Sequence, residues 1–326
     1  YPEIIDPDLD MDHFFPLVLN AFGGWNDTLY GLPFDNYSGL MFYNKQMLAD
    51  AGFDSPPATW DELKDVYGPA LTKDGKYAYA LQSKRNETQS ADSFARMLWP
   101  FGGSFLDAEF RSNLNSNESQ AGLKFRQDLM QYMPDGIVAY DHAETVNAFS
   151  QGDVAIITEW SAFYSTVVNP DTSKVAADVG IAPEPMGPAG RKPALGGFSL
   201  AVADQADDDE KAAAWLFIQW ATSKANAGEY LERGGVPARQ SAYADPSLAE
   251  IYTFIPALVE SWQEGVPEFR PRFAEWPEIT EIVQEWGTKM MLGEVTTEDG
   301  AMEIGTRMEE VLADAGYYSG DKPLAQ

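Results

Sequence analysis

Strand-like and helix-like stretches alternate along nearly the whole chain, and this alternation limits the fold more than any other feature. Residues 29–33, 38–43, 154–157, 179–182 and 198–202 have the apolar and aromatic content of strands, bounded by Gly and Pro. Residues 91–100, 119–132, 211–221, 247–263, 276–292 and 297–315 read as helices, and Leu123, Leu129 and Met130 fall at helical spacing. Thr59 with Glu62 three residues on predicts a capping box opening another helix. The run Asp207-Asp208-Asp209-Glu210 is read as acid complementing a helix dipole rather than as a cation site. Residues 8–20 read as a short helical stretch leading to a turn at Gly23-Gly24, and residues 320–326 as a loose tail. Helices interleaved with strands predict α/β layers.

A chain of 326 residues that is 44% hydrophobic can bury a sizeable core, and its length suggests about two domains. No window reaches the ~20 consecutive apolar residues of a membrane-spanning helix. Lys and Arg total 22 against 51 Asp and Glu, a net charge of −29 that repels nucleic acid and anionic membrane surfaces. With no cysteine, thiol catalysis, thiolate metal sites and disulfides are excluded.

Enzymatic constellations are scarce, and the residues imply no cofactor or metal. His13 and His142 follow aspartates and read as surface or turn residues without metal spacing. Gly102-Gly103 and Gly234-Gly235 are isolated doublets suited to turns. A two-carboxylate glycosidase is the best enzymatic reading, but 51 acidic residues always offer some pair at a plausible separation.

The aromatic residues say more. Trp160 follows Glu159 at the end of an apolar run, and Trp276 lies between Glu275 and Pro277. An indole can stack on the C–H face of a sugar while flanking polar groups bond its hydroxyl rim, although core packing is the default for any one Trp. Arg239 and Arg272 sit in Pro-containing loops. Each fork suits vicinal hydroxyls and equally suits the surplus carboxylates.

Five segments, in order, carry a family likeness: Tyr30-Gly31-Leu32-Pro33, residues 36–45 (Asn-Tyr-Ser-Gly-Leu-Met-Phe-Tyr-Asn-Lys), Gly196-Gly197-Phe198, Gly235-Val236-Pro237-Ala238-Arg239 and residues 270–276 (Arg-Pro-Arg-Phe-Ala-Glu-Trp). Together they resemble the extracellular solute-binding proteins of ABC sugar importers, family 1, the maltose-binding-protein-like group. The resemblance implies a non-enzymatic receptor with the α/β two-lobe periplasmic-binding-protein fold of type II, its lobes joined by hinge crossovers. Carried over, lobe 1 holds residues 1–38 plus 199–240 and lobe 2 holds 39–198 plus 241–326. Lobe 1 is expected to be incomplete, because family members have further βα units before the segment matching Tyr1-Pro2-Glu3-Ile4-Ile5-Asp6.

The same resemblance implies a cleft contacted by Asn36, Tyr37, Gln89, Asp92, Trp160, Gly197, Phe198, Arg239, Arg272 and Trp276. Tyr37 stands where the maltose-binding member has an acid, so that member's sugar cannot be transferred. A monosaccharide or sugar alcohol is favoured over an oligosaccharide, from the Glu-Trp-Pro-Glu-Ile context and the Arg-Pro-Arg loop. The implied protein is an exported monomer, periplasmic or extracellular, that delivers its ligand to the transmembrane subunits of an ABC permease. A carbohydrate-active enzyme and a lectin-like adhesin are the competing classes.

Overall fold

A computed structural model describes residues 4–86 and 88–319, so the expected tail lies outside the described residues. Seven strands are present among them: β1 (Gly24–Trp25), β2 (Thr28–Leu29), β3 (Gly31–Asn44), β4 (Tyr77–Ala80), β5 (Val154–Trp160), β6 (Val179–Pro183) and β7 (Leu195–Ala201). The main sheet runs β4-β5-β3-β6, and β7 also pairs with β3. Strand β4 is parallel to β5, and β3 is antiparallel to β5, β6 and β7.

The length of β3 organises the molecule. Its first part, Gly31 to Ser38, pairs with β7, whereas Gly39 to Tyr43 pairs with β5 on one side and Leu40 to Asn44 with β6 on the other. One strand therefore leaves one sheet neighbourhood and enters the next, with Ser38 opposite Leu195 and Gly39 opposite Trp160. The sequence suggested two strands here, broken near Pro33; the structure joins them. Pro33 has no N–H to give a ladder, and the register slips between Pro33 and Asp35, where an irregularity accommodates it. Residues 40–42 are buried, as suits the centre of a sheet covered on both faces.

Other local elements follow from side-chain chemistry. Asn26 and Asp27 both have positive φ, 45° and 58°, forming a two-residue hairpin turn between β1 and β2. The turn thus falls two residues beyond Gly23-Gly24, since Asn and Asp tolerate the left-handed region. Asp207 accepts from the Glu210 amide while the Glu210 carboxylate accepts from the Asp207 amide, a complete capping box for the helix Asp208–Ala221. Thr59 Oγ1 caps the Glu62 amide at 3.1 Å. The helix expected over 247–263 is split into Leu248–Ile251 and Ile255–Glu264, because Pro256 lacks the N–H an uninterrupted helix would use and instead starts the second piece. The C-terminal helices Trp276–Met291 and Thr297–Asp314 match expectation within a residue.

Two apolar cores result. One surrounds the sheet, with Leu40, Phe42, Ile156 and Ile157 beside Phe14, Val18 and Trp262. The other gathers Phe94, Phe105, Trp160, Phe269, Phe273 and Trp276 with the C-terminal helices, and Trp25 and Tyr37 reach it from the β1–β3 region.

Candidate functional site

The carboxyl ends of the parallel strands β4 and β5 lie side by side, the usual place for ligand chemistry in α/β sheets. Just beyond them sit Gln82 after β4 and Glu159-Trp160 at the end of β5. The helix Gln89–Leu98 adds Gln89, Asp92 and Arg96, which share one face at spacings of three and four residues. The β3–β7 crossing supplies Asn36, Tyr37, Gly197 and Phe198, with Asn36 opposite Gly197.

Gly196 and Gly197 are required here by close approach. A Cβ on Gly196 would lie 2.9 Å from Trp160 Cζ3, so the indole packs directly on that backbone. Gly197 has φ of +134°, and a Cβ there would lie 2.5 Å from Asn36 Nδ2. Trp160 is also flanked by two guanidinium groups, Arg96 and Arg270, each 5.4 Å from its ring centroid.

The charges around Trp160 are matched in pairs. Arg270 donates Nε and Nη2 to the two oxygens of Asp92, at 2.7 and 2.5 Å. Arg96 Nε lies 2.6 Å from Glu184 Oε1, a close charge contact with both groups buried. Burial pushes the Glu184 carboxyl above its usual range despite that cation. His142 Nδ1 lies 3.0 Å from both oxygens of Glu159, whose side chain is fully buried. His142 is therefore half-buried in the site and not the surface residue its acidic neighbours suggested; it leads a helix whose cap is Asp141 and stacks on Phe163 at 5.2 Å.

Those pairings leave Arg96 Nη1 and Nη2 without hydrogen-bond partners, and several neutral groups lack them as well. The Asn36 and Gln82 side chains are buried, and neither the oxygen nor the nitrogen of either amide has a hydrogen-bond partner. Gln89 Oε1, Ser90 Oγ and Trp276 Nε1 are likewise buried without one. A buried polar group left unbonded costs about 1–3 kcal/mol, so each of these groups is available to bond the hydroxyls of a guest.

The remaining expected contacts are placed differently. Tyr37 donates its hydroxyl to Asp35, and burial with that bond raises its pKa. Phe198 is 65% exposed and sits edge-on to Tyr37 at 6.3 Å. Trp276 is nearly buried, edge-on to Phe105 at 5.0 Å. Arg239 departs from expectation: it is buried, donates to the carbonyls of Thr222 and Asp10 at 2.6 Å each, and lies 3.8 Å above Phe14. Arg272 departs too, donating Nη1 to the carbonyls of Asn20 and Gly24 at 3.0 and 3.1 Å. Backbone oxygens take Nε and Nη1 of Arg239 and Nη1 of Arg272, while Arg272 Nη2 lies 3.5 Å from the Glu268 carboxylate. Arg96, Glu159, Glu184 and Arg270 were not singled out from sequence. Arg270 had one available signal, its place in the Arg-Pro-Arg loop two residues before Arg272.

A cavity of about 150 Å³ lies apart from this cluster. Trp25, Trp99, Phe110 and Arg272 line it, as do Phe105 and Phe273, which separate it from Trp276. No group of residues able to hold a metal ion occurs among the described residues.

Residues 2–253 match the family model of the bacterial extracellular solute-binding proteins, and the chain belongs to that family. A probable amino-acid ABC transporter periplasmic-binding protein of Sinorhizobium fredii is 28% identical over 95% of this chain and 70% of its own length. A solved Agrobacterium radiobacter solute-binding protein in complex with ribitol is 27% identical with a TM-score of 0.83, over 93% of this chain and 77% of that one. The maltose-bound T. maritima MalE3 is 29% identical with a TM-score of 0.81, over 93% and 78%. The chain therefore has the two-lobe fold of periplasmic binding proteins and the class of an ABC-transporter solute-binding protein, not of an enzyme.

Proposed function

We propose that this protein captures a neutral polyhydroxylated guest, of monosaccharide or sugar-alcohol size, between two lobes and presents it to an ABC permease outside the cytoplasmic membrane. One observation carries the reading. Around Trp160 every charged group named above has an oppositely charged neighbour, while the amides of Asn36 and Gln82, Gln89 Oε1 and the Ser90 hydroxyl have no hydrogen-bond partner. A guest that brings hydroxyls fits such a lining: the cations there already face carboxylates, and the buried Arg96 Nη1 and Nη2, which have no hydrogen-bond partner, can donate to the same hydroxyls.

In this reading lobe 1 comprises residues 1–38 plus 199–240 and lobe 2 comprises 39–198 plus 241–326, hinged where β3 and β7 run together. Asn36, Tyr37, Gln89, Asp92, Trp160, Gly197, Phe198 and Trp276 form the contact surface, with Gln82 and Arg270 added. The lobes exchange between open and closed arrangements, and contacts from both sides favour closure. The receptor works as a monomer. Ribitol and maltose in its structural relatives bracket the range of guest sizes.

A calorimetric and thermal-shift screen with hexoses, hexitols, pentitols, maltose, sn-glycerol 3-phosphate and amino acids tests this. Micromolar binding of a hexose or polyol, about −8 kcal/mol, is expected. Stabilisation by the phosphate ester or an amino acid alone would overturn the neutral-guest reading, and stabilisation by maltose alone would overturn the size.

A further inference from the structure

The contact made by Arg272 lies outside the cluster around Trp160, yet the loop that makes it also carries Arg270 and Trp276. Its Nη1 reaches the carbonyl of Asn20, in the last turn of the helix Pro16–Gly23, and that of Gly24, the residue capping it. A cation on the final carbonyls of a helix is favoured both by hydrogen bonding and by the helix dipole. The helix belongs to the core built on the sheet, through Val18, whereas Phe269, Phe273 and Trp276 belong to the other core. The cavity lined by Trp25, Arg272 and Phe273 lies directly beside this contact.

We propose that Arg272 is a positioning residue: by holding the end of the helix Pro16–Gly23 it fixes the loop that aims Arg270 and Trp276, and so couples lobe arrangement to ligand affinity. This rests on the two-lobe capture proposed above, with Asn20 and Gly24 in one lobe and Arg272 in the other. The arrangement with the tie in place is the one in which Arg270 meets Asp92 and flanks Trp160. Loss of the tie then frees the lobes and costs affinity without removing any group that touches the guest.

The chain has no cysteine, so two introduced ones carry spin labels uniquely. Ala121→Cys and Ala213→Cys place labels at exposed positions, one in each proposed lobe. Distances between the labels are measured by pulsed electron resonance without ligand, in the parent, Arg272→Met and Arg272→Lys. The expected result is a shifted or broadened distribution for Arg272→Met, partly restored by Arg272→Lys, which can still serve one carbonyl. The affinity for D-mannitol or ribitol should fall at least threefold alongside. Superimposable distributions with a lowered melting point would reduce Arg272 to a helix cap and overturn the proposal. Should Arg272→Met not fold, Trp25→Ala loosens the same joint from the hairpin side, and an unchanged distribution there is equally decisive. Because the distance readout needs no ligand, it fails or succeeds separately from the sugar-capture reading.

Discussion

Arg270 and Asp92, 178 residues apart in sequence, form a two-pronged ion pair in which Nε and Nη2 each donate to a different carboxylate oxygen. The pair joins the loop before the last two helices to the helix Gln89–Leu98, and its guanidinium lies beside the Trp160 ring. Asp92 is almost fully buried, while about a third of the Arg270 side chain, 32%, remains exposed.

Arg270→Ala leaves the Asp92 carboxylate buried without its paired cation, bonded among the described residues only by the Thr88 hydroxyl at 3.1 Å. The expected loss of stability is about 2 kcal/mol, below the ~3–5 kcal/mol of a wholly buried pair because solvent already reaches Arg270. Urea unfolding measures it, and a change under ~0.5 kcal/mol would mean that Asp92 finds another partner.

Gly196→Ala tests the seat of Trp160. The new methyl would have to displace an indole carbon only 2.9 Å away. Overpacking of this kind costs about 1–3 kcal/mol, and the tilted ring should weaken ligand binding at least tenfold. Calorimetry with the preferred sugar or polyol is the check; parent-like affinity would show that the indole's orientation is immaterial to the guest.

Asn36→Leu separates a ligand contact from a structural one. The amide is buried with both its atoms unpartnered, so replacing it with a similarly sized apolar group should leave the unliganded protein as stable or up to ~1 kcal/mol more so. Affinity should nevertheless drop tenfold, about 1.4 kcal/mol. If melting of the ligand-free variant falls sharply instead, the amide has an internal role.

The His142–Glu159 pair gives the site a pH dependence. Burial draws the imidazole pKa down, but the hydrogen bond and charge of Glu159 outweigh it, so the pKa lies above its ordinary value. Asp92 reinforces that rise, and Arg96 opposes it. A group whose pKa is raised by folding stabilises fully below its unfolded value, about 6.5, and loses that contribution as pH climbs through the native value. Melting temperature should therefore decline as pH rises above about 6.5 and through the raised native value, and His142→Asn should flatten the decline. An identical slope in the variant would assign the titration to other groups.

Much of the architecture was legible beforehand because it is local. The Thr59 cap, the acidic first turn of the helix Asp208–Ala221 and the last two helices depend on residues close in sequence and formed as read, whereas the Glu62 carboxylate turned to the Ala58 amide instead of closing the expected box and Asp207 with Glu210 formed a box that was not expected. The segments around Asn36 and Gly197 also marked the family, and close backbone approach restricts which residues can stand there. Tertiary structure alone decided which charges meet. Glu159 and His142, Arg96 and Glu184, and Arg270 and Asp92 are separated by anything from 17 to 178 residues, and a chain with 51 carboxylates offers each cation many candidate partners. Folding selected those pairs and left Arg239 and Arg272 on backbone carbonyls, since the energy of a guanidinium depends on which oxygens the packed chain brings within its reach.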